Sequence, residues 1–194
     1  MMEKLLVFAT NNAHKLEEVR AILAEKFAIR SLAEIGCEAD IPETGVTFEE
    51  NASLKSHYVL EHFGLPCFGD DSGLEIDALD GAPGVYSARY SGSREPAKNI
   101  DLVLQQMTGK TDRAARFRTV ISLVKDGGEH FFEGTISGTI RNGRSGTAGF
   151  GYDPIFQPDG YTKTFAEMTA GEKNAISHRA IAIQKLVLFL KQEA

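Results

Sequence analysis

The sequence predicts an α/β fold built on a mixed sheet. Short apolar runs alternate with amphipathic helical segments along the whole chain, as strands and their covering helices do when they interleave. Two β-rich runs also meet at Asp126-Gly127-Gly128, the pattern of a long antiparallel hairpin, so the sheet is not wholly parallel.

In chain order, Lys4 to Ala9 reads as a buried strand, and Asn11 to Lys26 as a helix with Leu16, Val19, Leu23 and Phe27 on one face. A second short strand, Ala28 to Leu32, opens into a polar, acidic loop. Thr47 to Phe63 returns to helix, and Thr47 and Glu50 have the spacing of a capping box, which gives Glu50 a structural use. Leu65-Pro66-Cys67-Phe68 is a strand ending on acids, and Leu74-Glu75-Ile76-Asp77 alternates as a half-buried strand before a turn at Asp80-Gly81. Pro96 to Met107 is a helix, and Arg116 to Lys125 and Glu129 to Arg141 are the hairpin strands. Ile176 to Lys191 closes the chain as a helix with Ile176, Ile183, Val187 and Leu190 facing a core.

The 194 residues are enough for one domain with a substantial core, and 42% hydrophobic with 25% charged residues is ordinary globular composition. A net charge of −6 argues against binding nucleic-acid backbone but leaves room for a local basic pocket that takes a small anion. Cys37 and Cys67 have no metal-ligand spacing and read as free thiols in a reducing compartment. Leu5 to Ala9 is too short for a secretory segment and no stretch is long enough to span a membrane, so a cytoplasmic location is expected.

The chemistry concentrates in five segments. In Gly69-Asp70-Asp71-Ser72-Gly73, neighbouring carboxylates at a strand end repel each other and favour a hard cation such as Mg²⁺ or Mn²⁺, although the same residues also make turns. Thr10-Asn11-Asn12-Ala13-His14-Lys15 lies where a strand gives way to a helix, a place where backbone N–H groups suit a phosphate; the plainer alternative is a helix cap beside a solvated lysine. Asn51 and Lys55 share one helix face, with Glu43 in the loop before it, where it can reach a metal. Gly149-Phe150-Gly151-Tyr152-Asp153-Pro154 sets aromatics between glycines, which suits stacking on a planar ligand. Lys173 with Ser177-His178-Arg179 reads as a basic cluster at the start of the last helix.

Taken in order, Thr10-x-Asn12-x-x-Lys15, Glu43-Thr44-Gly45-x-Thr47-Phe48-x-Glu50-Asn51-Ala52, Asp70-Asp71-Ser72-Gly73-Leu74, Gly81-Ala82-Pro83-Gly84-x-x-Ser87-Ala88-Arg89-Tyr90, Phe150-Gly151-Tyr152-Asp153-Pro154 and Ser177-His178-Arg179 closely resemble the non-canonical purine nucleoside triphosphate pyrophosphatases, also called inosine/xanthosine triphosphate pyrophosphatases. The likeness spans nearly the whole chain. Asn11 departs from it, since many members have glycine there, but Asn tolerates positive φ better than most residues.

The resemblance implies an elongated mixed sheet with flanking helices forming two lobes around a central cleft, a homodimer, and hydrolysis of ITP, dITP, XTP or dXTP to the monophosphate and pyrophosphate. It assigns Thr10, Asn11, Asn12, Ala13, His14 and Lys15 to phosphate binding, Glu43 and Asp71 to a metal, and Asp71 also to proton acceptance. Ser72 becomes a substrate contact, and Phe150, Gly151, Tyr152, Asp153, Lys173, His178 and Arg179 recognise base and sugar. Lys15 and Lys55 would offset charge as water attacks the α-phosphorus, and either Asp71 or Asp70 would take the proton. A 6-oxo purine presents an acceptor that Arg179 or backbone N–H groups could pair with, where adenine presents a donor. Two rivals are weaker: a Maf-like pyrophosphatase with another base preference would not explain Phe150 to Pro154 with Ser177-His178-Arg179, and Asp70, Asp71 and Glu43 together speak against a nucleotide-binding sensor without turnover.

Overall fold

A computed structural model of the protein describes residues 5–23 and 27–192. The strands are β1 (Leu5–Phe8), β2 (Ala28–Arg30), β3 (Cys67–Ile76), β4 (Ala114–Lys125), β5 (Gly128–Ile140) and β6 (Phe156–Pro158); the helices are α1 (Ala13–Leu23), α2 (Phe48–Phe63), α3 (Pro96–Gln106), α4 (Ala170–Ile176) and α5 (His178–Gln192). The sheet order is β2-β1-β3-β4-β5-β6, with β1 parallel to β2 and β3 and β6 antiparallel to β5. The α/β class and the mixed sheet are as the sequence predicts.

The chain divides into two compact units: Met1–Asp71, Thr119–Gly134 and Arg179–Ala194 in one, Ser72–Arg118 and Thr135–His178 in the other. In the first unit the pleat of β1 serves two cores. Leu6 and Phe8 join Val19 and Leu23 of α1 and Ala182, Ile183, Leu186, Val187 and Leu190 of α5. Val7 and Ala9 point the other way and join Leu32, Ile41, Cys67 and Val59 of α2. Strands covered on both faces read as continuous apolar runs, as Leu5 to Ala9 does. The Phe8 and Phe68 rings stack with centroids 4.6 Å apart. In the second unit Leu74 and Ile76 of β3, Ile100 and Val103 of α3, Phe117, Phe156 and Phe165 surround a separate core.

The elements start and stop for local reasons. Thr47 caps α2, accepting the Glu50 N–H in a complete capping box, and Gly64 ends the helix in the left-handed region. Asp126 and Gly127, at φ 50° and 81°, make the two-residue turn between β4 and β5, a link short enough only for antiparallel neighbours. Lys4 and Ala24 to Lys26, at the edges of the first two expected elements, lie outside the described residues.

Two expectations are corrected. The acidic pair sits inside one continuous strand, Cys67–Ile76, and not on a turn between two strands, because β3 has neighbours on both sides and helices over it. The closing helix begins at His178: Ser177 is extended, at φ −66° and ψ 153°, and ends the separate helix α4, to which Ile176 belongs. Thr169 and Glu172 form a second capping box that starts α4.

Gly69 sets how closely α2 approaches β3. A Cβ there would meet the Ala52 carbonyl oxygen at 2.5 Å and the Lys55 Cβ at 2.9 Å, both on α2. Gly69→Ala is expected to cost about 1–3 kcal/mol, because backbone has to shift to admit the methyl group. Gly171→Ala on α4, where nothing lies within 4 Å, is expected to be neutral or to stabilise by up to about 1 kcal/mol. Urea unfolding of both variants checks the pair; equal stability changes would mean that the Gly69 contact does not limit packing.

Candidate active site

Strand alternation decides what the two neighbouring aspartates do. Asp70 shares a face of β3 with Phe68, which packs among α1 and α5, whereas Asp71 shares the opposite face with Gly69, which packs on α2. The two carboxylates therefore make their direct contacts on opposite faces.

Asp70 is 1% exposed and held by two cations. Its Oδ1 accepts from Lys15 Nζ of α1 at 3.0 Å, and its Oδ2 from Arg179 Nε of α5 at 3.3 Å. Arg179 also donates from Nη1 to Glu18, one turn beyond Lys15 on α1. Burial opposes ionisation of Asp70, but Lys15, Arg179 and Lys55 outweigh it and hold the carboxyl well below the usual range. Burial lowers the pKa of Lys15, with Asp70 opposing, while the acids beside Arg179 raise its pKa against burial.

Asp71 is shifted the other way. Burial raises its pKa, Lys55 and Lys15 pull back only in part, and the charge of Glu43 adds to the rise. Its Oδ2 accepts from Asn51 Nδ2 at 2.9 Å. One turn further along α2, Lys55 Nζ donates to Glu43 Oε1 at 2.6 Å. Lys55 stays charged, because Asp71, Asp70 and Glu43 raise its pKa by more than burial lowers it. Neighbouring carboxyls whose environments push them apart make one a fixed anion and the other a proton acceptor.

At the end of β1, Thr10 Oγ1 accepts the Asn12 N–H at 3.1 Å, and Asn12 Oδ1 accepts the Lys15 N–H at 3.2 Å. Asn12 is thus a helix cap, as the plainer alternative had it, and Lys15 is turned onto Asp70 instead of into solvent. Asn11 Nδ2 donates to the Ala39 carbonyl, and Ala13 and His14 are exposed in the first turn of α1.

In the second unit the glycine-flanked loop closes on itself. Gly149 and Gly151 have φ of 73° and 59°. Asp153 Oδ2 accepts the Phe150 N–H at 2.9 Å and Lys173 Nζ at 2.6 Å. A Cβ at Gly149 would overlap that carboxylate. The Lys173 ammonium lies 4.7 Å from the centroid of the half-buried Phe150 ring. His178 stacks on Phe117 with centroids 4.8 Å apart. Ser72 directly follows Asp71 on β3.

The residues of the expected basic cluster each have a partner: Lys173 pairs with Asp153, His178 stacks on Phe117, and Arg179 is an ion-pair partner of Asp70 and Glu18. Arg179, 1% exposed, lies between two acids and is a counter-ion of Asp70. Tyr152, expected as a stacking surface, is 4% exposed in the core, and its hydroxyl donates to the Ser87 carbonyl at 2.8 Å. Sequence reasoning missed Glu18, whose one signal was its place three residues after Lys15, and gave Asn51 a face but no partner.

The oxygen donors fit a hard cation that arrives with phosphate. Asp71, Asp70 and Glu43 all lie within charge range of Lys55; Glu43 Oε1 already accepts from it, and both oxygens of Asp70 face Lys15 and Arg179. Among the described residues no group of three or more acids, histidines or cysteines is placed to hold a metal. Mg²⁺ commonly takes one or two carboxylates and fills its remaining positions with water and phosphate oxygens.

The chain is 54% identical over 191 residues to the dITP/XTP pyrophosphatase of Porphyromonas gingivalis, a match covering 97% of this chain and 98% of that one. It is 48% identical to the dITP/XTP pyrophosphatase of Streptomyces coelicolor, covering 96% and 97%. The solved Staphylococcus aureus Ham1 protein superposes with a TM-score of 0.89 at 41% identity, over 98% of this chain and 100% of that one. The nucleoside-triphosphatase / dITP/XTP pyrophosphatase of Mycobacterium abscessus gives 0.77 at 41% identity, over 94% and 98%. With the fold, the ordered motifs and a match to the family from residue 6 to residue 189 in agreement, the chain belongs to the Ham1 family.

Proposed function

We propose that this protein hydrolyses non-canonical purine nucleoside triphosphates, dITP and XTP foremost, to the monophosphate and pyrophosphate. The observation that carries the reading is the opposed setting of Asp70 and Asp71: Asp70 accepts from Lys15 and Arg179, while Asp71, on the other face of β3, accepts from Asn51 beside the Lys55–Glu43 pair. The relatives named dITP/XTP pyrophosphatase supply the substrate class.

In this reading Thr10, Asn12 and Lys15 receive phosphate at the start of α1, and Ser72 adds a contact next to Asp71. Water attacks the α-phosphorus as its bond to the bridging oxygen breaks, pyrophosphate leaves with that oxygen, and Asp71 accepts the water's proton. Lys15 and Lys55 offset the charge that gathers on the phosphate oxygens. Glu43 and Asp71 would hold a divalent cation, Mg²⁺ with Mn²⁺ as a substitute, whose charge adds to that neutralisation when bound. Base and sugar fall to Phe150, Gly151, Asp153, Lys173 and His178 of the second unit, while Arg179 keeps Asp70 ionised. A homodimer in the cytoplasm completes the reading; the two free, buried thiols agree with a reducing compartment.

The test is incubation with Mg²⁺ and a panel of dITP, XTP, GTP and ATP, with pyrophosphate measured separately from orthophosphate. Pyrophosphate release favouring dITP and XTP is expected; release of orthophosphate alone would overturn the assignment. Asp71→Asn is expected to keep the fold and nucleotide binding and to lose roughly 10²–10⁴-fold in kcat. Near-normal turnover in that variant would remove Asp71 from the chemistry. Exhaustive chelation is expected to abolish turnover, with recovery on adding Mg²⁺ or Mn²⁺, and full activity after chelation would eliminate the metal. Phe150→Ala should weaken binding of every purine triphosphate by roughly 1–3 kcal/mol, leaving the ratio of dITP to ATP nearly fixed, because stacking is tolerant of base identity. Measured kcat/KM values for the panel check this; a changed ratio would make Phe150 a discriminating residue.

A further inference from the structure

Asn51 is fully buried on α2, the fourth residue after the capping residue Thr47, where asparagine is a poor helix former. Its side chain is nonetheless oriented without ambiguity. Asn51 Oδ1 accepts the Gly45 N–H at 2.8 Å, and a backbone N–H can only donate. The amide nitrogen is therefore the end that faces Asp71, donating to Oδ2 at 2.9 Å. A buried amide with both ends engaged sets the rotamer of the carboxylate it meets.

The arrangement is built from both sides. Glu50 Oε2 accepts the Val46 N–H at 2.6 Å and the Thr47 N–H at 3.3 Å, folding the loop that carries Glu43 onto the start of α2. The capping box fixes the rotation of the helix and so the direction in which Asn51 points. Gly45 leaves room for the amide: a Cβ there would meet Asn51 Oδ1 at 2.8 Å and Glu50 Cβ at 2.6 Å.

We propose that Asn51 is a positioning residue for Asp71, holding its carboxylate in the orientation from which it accepts the proton of the attacking water. The proposal rests on the hydrolase reading and deepens it. Asn51 touches neither substrate nor reacting atoms, and it acts through Asp71. Its loss is then felt in the chemical step, where a misplaced group costs far more than it does in binding.

The experiment measures kcat and KM for dITP, at one Mg²⁺ concentration, in Asn51→Ala, Asn51→Ser, Gly45→Ala and Asp71→Asn, and in Asp71→Asn combined with Asn51→Ala, with thermal unfolding recorded for each. Asn51→Ala is expected to lower kcat roughly 10- to 100-fold with KM nearly unchanged. Gly45→Ala should show the same kcat-only signature, because it displaces the amide without altering Asn51 or Asp71. Adding Asn51→Ala to Asp71→Asn should cause no further loss, since the group it positions is already gone. Should Asn51→Ala fail to fold, Asn51→Ser and Gly45→Ala give the same readout. An equal proportional loss in both Asp71 backgrounds, or a raised KM with unchanged kcat, would show a purely structural role and overturn the proposal. A wild-type protein that releases no pyrophosphate would instead bring down the hydrolase reading, and the assignment with it.

Discussion

The first unit depends on the chain of buried charges Lys15–Asp70–Arg179–Glu18. The two cations and two anions balance one another, the condition under which such groups can be buried at all. Lys15 and Glu18 come from α1, Asp70 from β3 and Arg179 from α5, so the chain ties the start of each helix to one point on the central strand. Removing one member strands a buried charge, an effect that costs about 3–5 kcal/mol in comparable sites. The same pairing keeps Asp70 ionised.

Where the pattern was local, it was legible in the sequence. The capping box of α2, the apolar face of α1 and the Asp126-Gly127 turn each depend on residues a few positions apart, and each formed where the residues placed it. The break at Ser177 was masked because Ile176 continues the apolar spacing of Ile183 and Val187, although Thr169 and Glu172 held the signal of a separate helix. Long-range pairing was the harder part. Arg179 meets Asp70 and Glu18, 109 and 161 residues away, and no window of sequence brings these together. Tyr152 was misplaced for a related reason, since the carbonyl that takes its hydroxyl belongs to Ser87, 65 residues earlier. The substrate residues came from ordered motifs, which name positions without fixing what each side chain touches.

The opposite face of β3 follows a different rule, one of close approach. Gly69 removes a side chain between strand and helix, and Ser56 and Ser122, both fully buried, meet at 2.6 Å. Cys67 donates from Sγ to the Ser56 carbonyl at 3.0 Å, and burial pushes its thiol up to about 12, so it packs as a small apolar group and not as a nucleophile. Small residues at three positions bring α2 close enough for Asn51 to reach Asp71 across a single hydrogen bond. An alanine at residue 69 would act at a distance on that bond.

Two carboxylates adjacent in sequence would ordinarily raise each other's proton affinity by repulsion. Here the pleat separates them, sending Asp70 to the cations of α1 and α5 and Asp71 to the amide of α2. Lys15 and Lys55 act on both carboxyls, but direct ion pairs with Lys15 and Arg179 hold Asp70 down, whereas burial and the charge of Glu43 outweigh the two lysines at Asp71. A one-residue slip of β3 would turn each carboxyl to the opposite face of the sheet. The register of this strand, held by Val7 opposite Cys67 and Phe8 opposite Phe68, therefore fixes which aspartate meets Lys15 and Arg179 and which meets Asn51.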